Sequence, residues 1–189
     1  MLSVVLPVYN EEPIIRPLYA ALARSLSALG LPWEIVFVDD GSRDGSGALL
    51  AGLAQEDPRV KLVSLSRNFG NQLAIARGME FAAGDWVVTM DSDLEDKPED
   101  IAKLYAQAQE GFDVVYAVRS SAQKTWIKDL CSRAFYLIID KISDTPLPRN
   151  VGNFCIMDRA VVEALKSLPE RHRYFAGLRA WVGFRQIGL

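Results

Sequence analysis

Residues Trp86-Val-Val-Thr-Met-Asp-Ser-Asp-Leu-Glu95 form a short apolar run that ends in three acids. Trp86, Val87, Val88 and Met90 read as a strand buried on both faces, because β-branched and aromatic residues dominate and no polar alternation interrupts them. Unpaired carboxylates inside such a strand would cost several kcal/mol, so Asp91 and Asp93 belong where the strand leaves its sheet. Two residues apart on an extended backbone, they point to the same side, and Glu95 continues that side. Convergent hard oxygens of this kind (Asp91, Asp93, Glu95) suit Mg²⁺ or Mn²⁺, an ion that shares its shell with substrate phosphates. The plainer reading is an acidic loop capping the next helix. It accounts for Asp96, placed as an N-cap before Lys97-Pro98-Glu99, and accounts poorly for Asp91 and Asp93.

Around this strand the chain alternates. Leu2 to Tyr9 reads as a strand, followed by a helix with Ile14, Ile15, Leu18, Leu22, Leu26 and Leu29 at helical spacing and Gly30 as its stop. Trp33 to Val38 and Val60 to Leu65 read as further strands, with a helix through Leu49, Leu50 and Leu53 between them. The helix carrying Leu73, Ile75 and Ala76 runs to Gly84, just before the acidic strand. A helix from Lys97 to about Gln109 and a strand from Phe112 to Val118 follow. Strands alternating with helices over short connections predict an α/β fold, a Rossmann-like, mostly parallel sheet flanked by helices.

In such a sheet, ligands bind outside the carboxyl ends of the strands. Pro7, Tyr9, Asn10, Glu11, Asp39, Asp40, Asp91, Asp93 and Arg119 stand there. The set is acidic and contains no Gly-x-Gly-x-x-Gly and no Gly-Lys-Ser/Thr, which disfavours a dinucleotide site or a P-loop. A nucleotide can instead be held by acids on base or ribose, an aromatic beside the base and a metal on the diphosphate.

Composition bounds the rest. A chain of 189 residues, 50% hydrophobic and 24% charged, is large enough for one core, and its net charge of -3 argues against nucleic acid as a partner. Cys131 and Cys155 lack metal spacing and read as reduced packing residues; His172 reads as a surface residue. No run is long and apolar enough to span a bilayer, and Pro7 and Asn10 interrupt any leader at the amino end. Between Thr125 and Ser143, apolar residues from Trp126 to Ile142 mix with Lys124, Lys128, Arg133 and Lys141. That is the pattern of an amphipathic interface helix or of a helix packed on the sheet.

Leu6-Pro-Val-Tyr-Asn-Glu-Glu12, Val38-Asp-Asp-Gly-Ser42, Ser66-Arg-Asn-Phe-Gly70 and Asp91-Ser-Asp-Leu-Glu-Asp96 resemble the family 2 glycosyltransferases of the GT-A fold. Asn150-Val-Gly-Asn-Phe154, Leu168-Pro-Glu-Arg171 and Trp181-Val-Gly-Phe184 resemble its polyprenyl-phosphate branch, the bactoprenol glucosyltransferases and dolichyl-phosphate mannose synthases. The resemblance covers essentially the whole chain as a single catalytic domain. It implies an inverting, metal-dependent transfer of a sugar from a UDP- or GDP-hexose to a polyprenyl phosphate, at the inner, cytoplasmic face of a cell membrane. Pro7, Tyr9, Glu11, Val38 and Asp40 would contact the nucleoside, and Asp91 and Ser92 the ribose and diphosphate. Asp93 and Glu95 would hold the metal, Arg119 would reach phosphate, and Asn153 would lie on the acceptor side. The resemblance also implies an interface helix near residues 124–143, with Lys124, Ser132 and Arg133 toward a lipid phosphate.

Two departures stand out: relatives usually carry Asp where this chain has Asn153, and a basic residue where it has Cys155. Relatives also continue past the Trp-Val-Gly segment with a basic lid and often with membrane helices, so the resemblance implies a chain that stops before them. A transferase acting on a saccharide hydroxyl and a degenerate nucleotide-sugar-binding module stay open as alternatives, as does a homo-oligomer.

Overall fold

The computed structural model describes residues 1–118, 151–170 and 174–189. Arg119, the stretch from Lys124 to Ser143 with Cys131, and His172 lie outside the described residues. The elements are β1 (Leu2–Val8), α1 (Glu12–Ala28), β2 (Trp33–Asp39), α2 (Ser46–Glu56), β3 (Val60–Ser64), α3 (Asn71–Phe81) and β4 (Trp86–Thr89). A 3-10 turn (Pro98–Asp100) leads into α4 (Ile101–Ala108), then β5 (Val114–Val118), β6 (Val151–Asp158), α5 (Arg159–Ser167), α6 (Phe175–Trp181) and β7 (Gln186–Gly188).

Seven strands form one sheet in the order β3-β2-β1-β4-β6-β5-β7. β1 pairs in parallel with β2 and β4, and β2 with β3. β6 runs antiparallel between β4 and β5, and β7 pairs in parallel with β5. The expected fold, a mostly parallel sheet flanked by helices, is what forms, with β6 as the inserted exception. Both faces are covered, which is why the central strands carry unbroken apolar runs. On one face Leu2, Val4 and Leu6 meet Ile15, Leu18 and Leu22 of α1 and Leu50 and Leu53 of α2. On the other, Val5, Val36 and Val38 meet Ile75 and Met79 of α3, and Val161 and Val162 of α5. α3 approaches this face closely: a Cβ on Gly78 would stand 2.3 Å from Val5 Cγ1 and 2.8 Å from Val38 Cγ2.

The boundaries differ from expectation where tertiary contacts intervene. Gly30, at φ 66°, does stop α1. α3 ends at Phe81 rather than at Gly84, because Ala83 N–H is drawn to Glu34 Oε1 (2.6 Å) and Gly84 N–H to Ser3 Oγ (2.7 Å). Asp96 does not cap a helix. Lys97 is extended before Pro98, as a residue preceding proline prefers, and the turn starts without a side-chain cap. In α6, Arg179 is fully buried, with its guanidinium 4.8 Å from the Tyr116 ring centroid and 5.8 Å from that of Phe175. Among the described residues its nitrogens have no hydrogen-bond partner, and the aromatic faces stand in for one. No helix among the described residues is long and apolar enough to cross a membrane.

Candidate active site

The chain leaves β1 for β2 and β3 on one side, then returns to β4 on the other. That reversal opens a crevice between the carboxyl ends of β1 and β4, the place where open α/β sheets bind ligands. A cavity of about 330 Å³ occupies it. β1 contributes Pro7, Val8, Tyr9 and Glu11; the end of β2 contributes Asp40; the β3–α3 connection contributes Asn68 and Asn71; β4 contributes Asp91, Ser92 and Asp93. β1 pairs with β4 only as far as Val5 and Thr89, so Pro7, which has no N–H to give, sits past the last pair on that side.

Three loops interlock around the crevice. Asn10, at φ 56°, donates its N–H to Ser42 Oγ (3.0 Å) and accepts from Arg43 N–H (2.8 Å); Glu11 N–H reaches Ser46 Oγ (2.9 Å). Asp39 accepts from Ser42 N–H at 2.9 Å. Asp40, 2% exposed, accepts from the N–H groups of Phe69 (2.8 Å) and Gly70 (2.9 Å). Gly41, at φ 70°, lets the loops touch: a Cβ there would stand 2.4 Å from the Arg67 carbonyl carbon. The Asp-Asp-Gly-Ser segment is thus a latch onto Arg67-Asn-Phe-Gly70, with Asp40 in the cavity wall as well.

Asp91 is partly buried and held by amides. Its Oδ1 accepts from Asn71 Nδ2 (2.9 Å) and Asn153 Nδ2 (3.0 Å), and its Oδ2 accepts from Asn153 Nδ2 at 3.3 Å. Asn153 Nδ2 also reaches Asn71 Oδ1 (3.1 Å), and Thr89 Oγ1 donates to the Asn153 carbonyl. Beyond it, Gln72 Nε2 donates to Asn153 Oδ1 (3.2 Å), and Phe175 N–H donates to Gln72 Oε1 (2.7 Å). Asp93 is exposed in the cavity and accepts from Glu95 N–H at 2.9 Å.

Pro7, Tyr9, Glu11, Asp40, Asp91, Ser92 and Asp93 come together as expected. Val38 does not. It is fully buried against α3, and its side chain cannot reach the cavity. Glu95 also departs. The backbone leaves the extended form after β4, and the Asp93–Glu95 turn with Leu94 at φ 61° cancels the alternation that would align positions 91, 93 and 95. Glu95 instead lines a neighbouring hollow with Lys97, Lys103 and Phe154. Among the described residues no three acidic, histidine or cysteine side chains are grouped to hold a metal. An ion at Asp91 and Asp93 would have to take the rest of its shell from substrate oxygens and water. Asn68, Asn71 and Gln72 were not foreseen in the site. For Asn71 the signal was there, since a helix opening after Gly70 sets its first side chain at the carboxyl edge of the sheet.

Residues 3–166 match the family model described as Glycosyl transferase family 2. An uncharacterized glycosyltransferase of Synechocystis sp. is 44% identical over 186 residues, 98% of this chain and 58% of the relative. A bactoprenol glucosyl transferase of Shigella phage SfV is 39% identical over 183 residues, 96% of this chain and 60% of that protein. The chain thus spans about three fifths of the length of these relatives. Among solved structures, a mannosyltransferase from Pyrobaculum calidifontis in complex with GDP-Man and Mn²⁺ superposes with a TM-score of 0.68 at 23% identity, over 100% of this chain and 54% of that one. That last likeness carries the fold alone, whereas the family match and the closer sequence relatives carry the family: the chain belongs to glycosyl transferase family 2.

Proposed function

We propose that the chain is a catalytic domain that transfers a sugar, with inversion, from a nucleoside diphosphate donor to a polyprenyl phosphate. The observation that carries this reading is the crevice at the β1/β4 reversal. It presents an aromatic (Tyr9), acids for ribose and base (Glu11, Asp40) and two further carboxylates (Asp91, Asp93), and among the described residues no Lys or Arg lines it. A diphosphate beside two carboxylates needs a cation between them. A bound Mg²⁺ or Mn²⁺ would offset the charge that develops on the departing diphosphate. The residues do the placing: Tyr9 and Glu11 bound the nucleoside, Asp40 holds the loop beneath it, and Asp91 and Asp93 face the diphosphate.

Asn153 supports a phosphate acceptor. A carboxamide cannot take a proton at any ordinary pH, and among the described residues it occupies the position beside Asp91. A hydroxyl acceptor would need a base there, whereas a phosphate monoester is already anionic near neutrality. The relative named bactoprenol glucosyl transferase supports a lipid phosphate, and with it a site of action at a membrane surface.

The test is a calorimetric titration with UDP, GDP and their hexose conjugates, with and without Mn²⁺. Binding of one nucleotide series that requires Mn²⁺ is the expected result. Binding indifferent to the metal, or none at all, would overturn the donor and metal assignment. Transfer to undecaprenyl phosphate from the preferred donor then tests the acceptor.

A further inference from the structure

The hydrogen-bond chain from α6 to Asp91 has a fixed polarity. At one end Phe175 N–H can only donate, so Gln72 must turn Oε1 toward it (2.7 Å) and Nε2 away. Nε2 points at Asn153 (3.2 Å), so Asn153 must present Oδ1 to Gln72 and Nδ2 to the other side. At the far end an ionised Asp91 can only accept, and Asn153 Nδ2 meets both of its oxygens at 3.0 and 3.3 Å. A donor at one end and an acceptor at the other leave a single arrangement of both amides. Asn71, 2.9 Å from Asp91 through Nδ2, joins with the same sense.

We propose that Gln72 is a positioning residue: acting through Asn153, it fixes the Asp91 carboxylate in the nucleotide cavity and ties it to the start of α6. The proposal rests on the function assigned above to Asp91. Gln72 is not in the cavity wall and touches no reacting group, so its effect has to travel through the amide of Asn153. Without its N–H₂, Asn153 Oδ1 loses its donor, and the amide is held only by its contacts to Asp91 and Asn71.

Gln72→Glu separates the two duties of the side chain. At about pH 8 glutamate is ionised; it still accepts from Phe175 N–H but cannot donate to Asn153. The experiment is a double-mutant cycle of Gln72→Glu and Asn153→Ala, with three readouts. The first is the NMR signal of the Asn153 side-chain amide in the free protein. The second is hydrogen exchange of the Phe175 amide. The third is the Kd for UDP in the presence of Mn²⁺.

In Gln72→Glu the Asn153 amide signal should shift and exchange faster while Phe175 stays protected. UDP affinity in Mn²⁺ should fall about tenfold, the low end for a residue that orients a metal-site ligand. In the Asn153→Ala background the same substitution should change affinity less than about twofold, since the connecting amide is gone. An unshifted Asn153 signal, or an equal loss in both backgrounds, would overturn the proposal; the latter would mean simple charge repulsion by the new carboxylate. If the wild-type chain binds GDP rather than UDP, the Kd is read with GDP; if it binds neither, the donor assignment falls, and the Asn153 signal still decides for or against the positioning role of Gln72.

Discussion

At the amino-terminal end of the sheet, Glu34 is 6% exposed and closed in by the protein. Ser3 Oγ donates to it at 2.7 Å, Ala83 N–H at 2.6 Å, and Lys61 Nζ lies 2.7 Å from its other oxygen. Burial pushes the Glu34 carboxyl up, but these donors together outweigh it and hold the group below the ordinary carboxylate value. At the carboxyl end, Asp91 is answered by amides alone and Asp93 by one backbone N–H, and both face an open cavity. Both ends use Ser, Asp and Glu. What sets the two ends apart is whether the protein supplies a cation: Lys61 closes the cluster at one end, and among the described residues no Lys or Arg lines the cavity at the other.

Glu34→Leu should break the closed end. It orphans Ala83 N–H, takes away the acceptor of the Ser3 hydroxyl and leaves Lys61 without its carboxylate, so unfolding free energy should drop by about 3 kcal/mol, read by urea denaturation, with Mn²⁺-dependent nucleotide binding unchanged. Asp93→Asn should do the reverse. Nucleotide affinity in Mn²⁺ should fall at least about 100-fold, while the denaturation midpoint stays put because the side chain is exposed. Unchanged affinity would remove Asp93 from the site.

Asn153→Asp sharpens the contrast by adding a carboxylate about where Nδ2 now stands, within hydrogen-bond reach of Asp91. Two carboxylates there repel. Stability without metal should drop by about 1–2 kcal/mol, and the gap should narrow when Mn²⁺ is added. Turnover with a phosphate acceptor should change only modestly; a rise of about 10²–10⁴ would instead identify a missing general base.

An effect of the same size, far from the cavity, belongs to Asp57, near the start of β3. The Arg59 guanidinium, backed by Arg59 N–H and the Tyr19 hydroxyl, outweighs burial and holds its carboxyl well below the usual range. A depressed carboxyl stabilises the fold above its unfolded value and loses that contribution as pH falls through the folded one. Asp57→Asn should therefore cost about 1–2 kcal/mol at neutral pH, and the difference should close as pH falls below about 4.

The first 118 residues were legible because each strand is an apolar run closed by a polar turn, and no distant contact is needed to read it. β6 was not. Val151-Gly-Asn-Phe-Cys-Ile-Met-Asp158 pairs antiparallel with β4 and β5, and Gly152 and Asn153 interrupt the apolar pattern by which the other strands are read. Asn153 is in fact both a strand residue and a neighbour of Asp91. Asp91, Ser92 and Asp93 could be read from their own stretch because strand geometry delivers them. Gln72 could not, since its partners Asn153 and Phe175 lie 81 and 103 residues away in the chain. Glu95 and Val38 lie away from the cavity wall for opposite reasons: the backbone turns after Thr89, and the strand at Val38 stays extended into the core.

The central position of β1 has a consequence for how the chain is made. β1 is synthesised before both of its neighbours, and β4 follows about 80 residues later, roughly 4–16 s at ribosomal rates. For that interval Leu-Ser-Val-Val-Leu-Pro-Val can pair on one edge with β2 and offers the other to any passing strand. Pro7 interrupts that free edge with a missing donor, a gatekeeper against misassociation. The same proline that lines the crevice in the finished fold thus guards the nascent one.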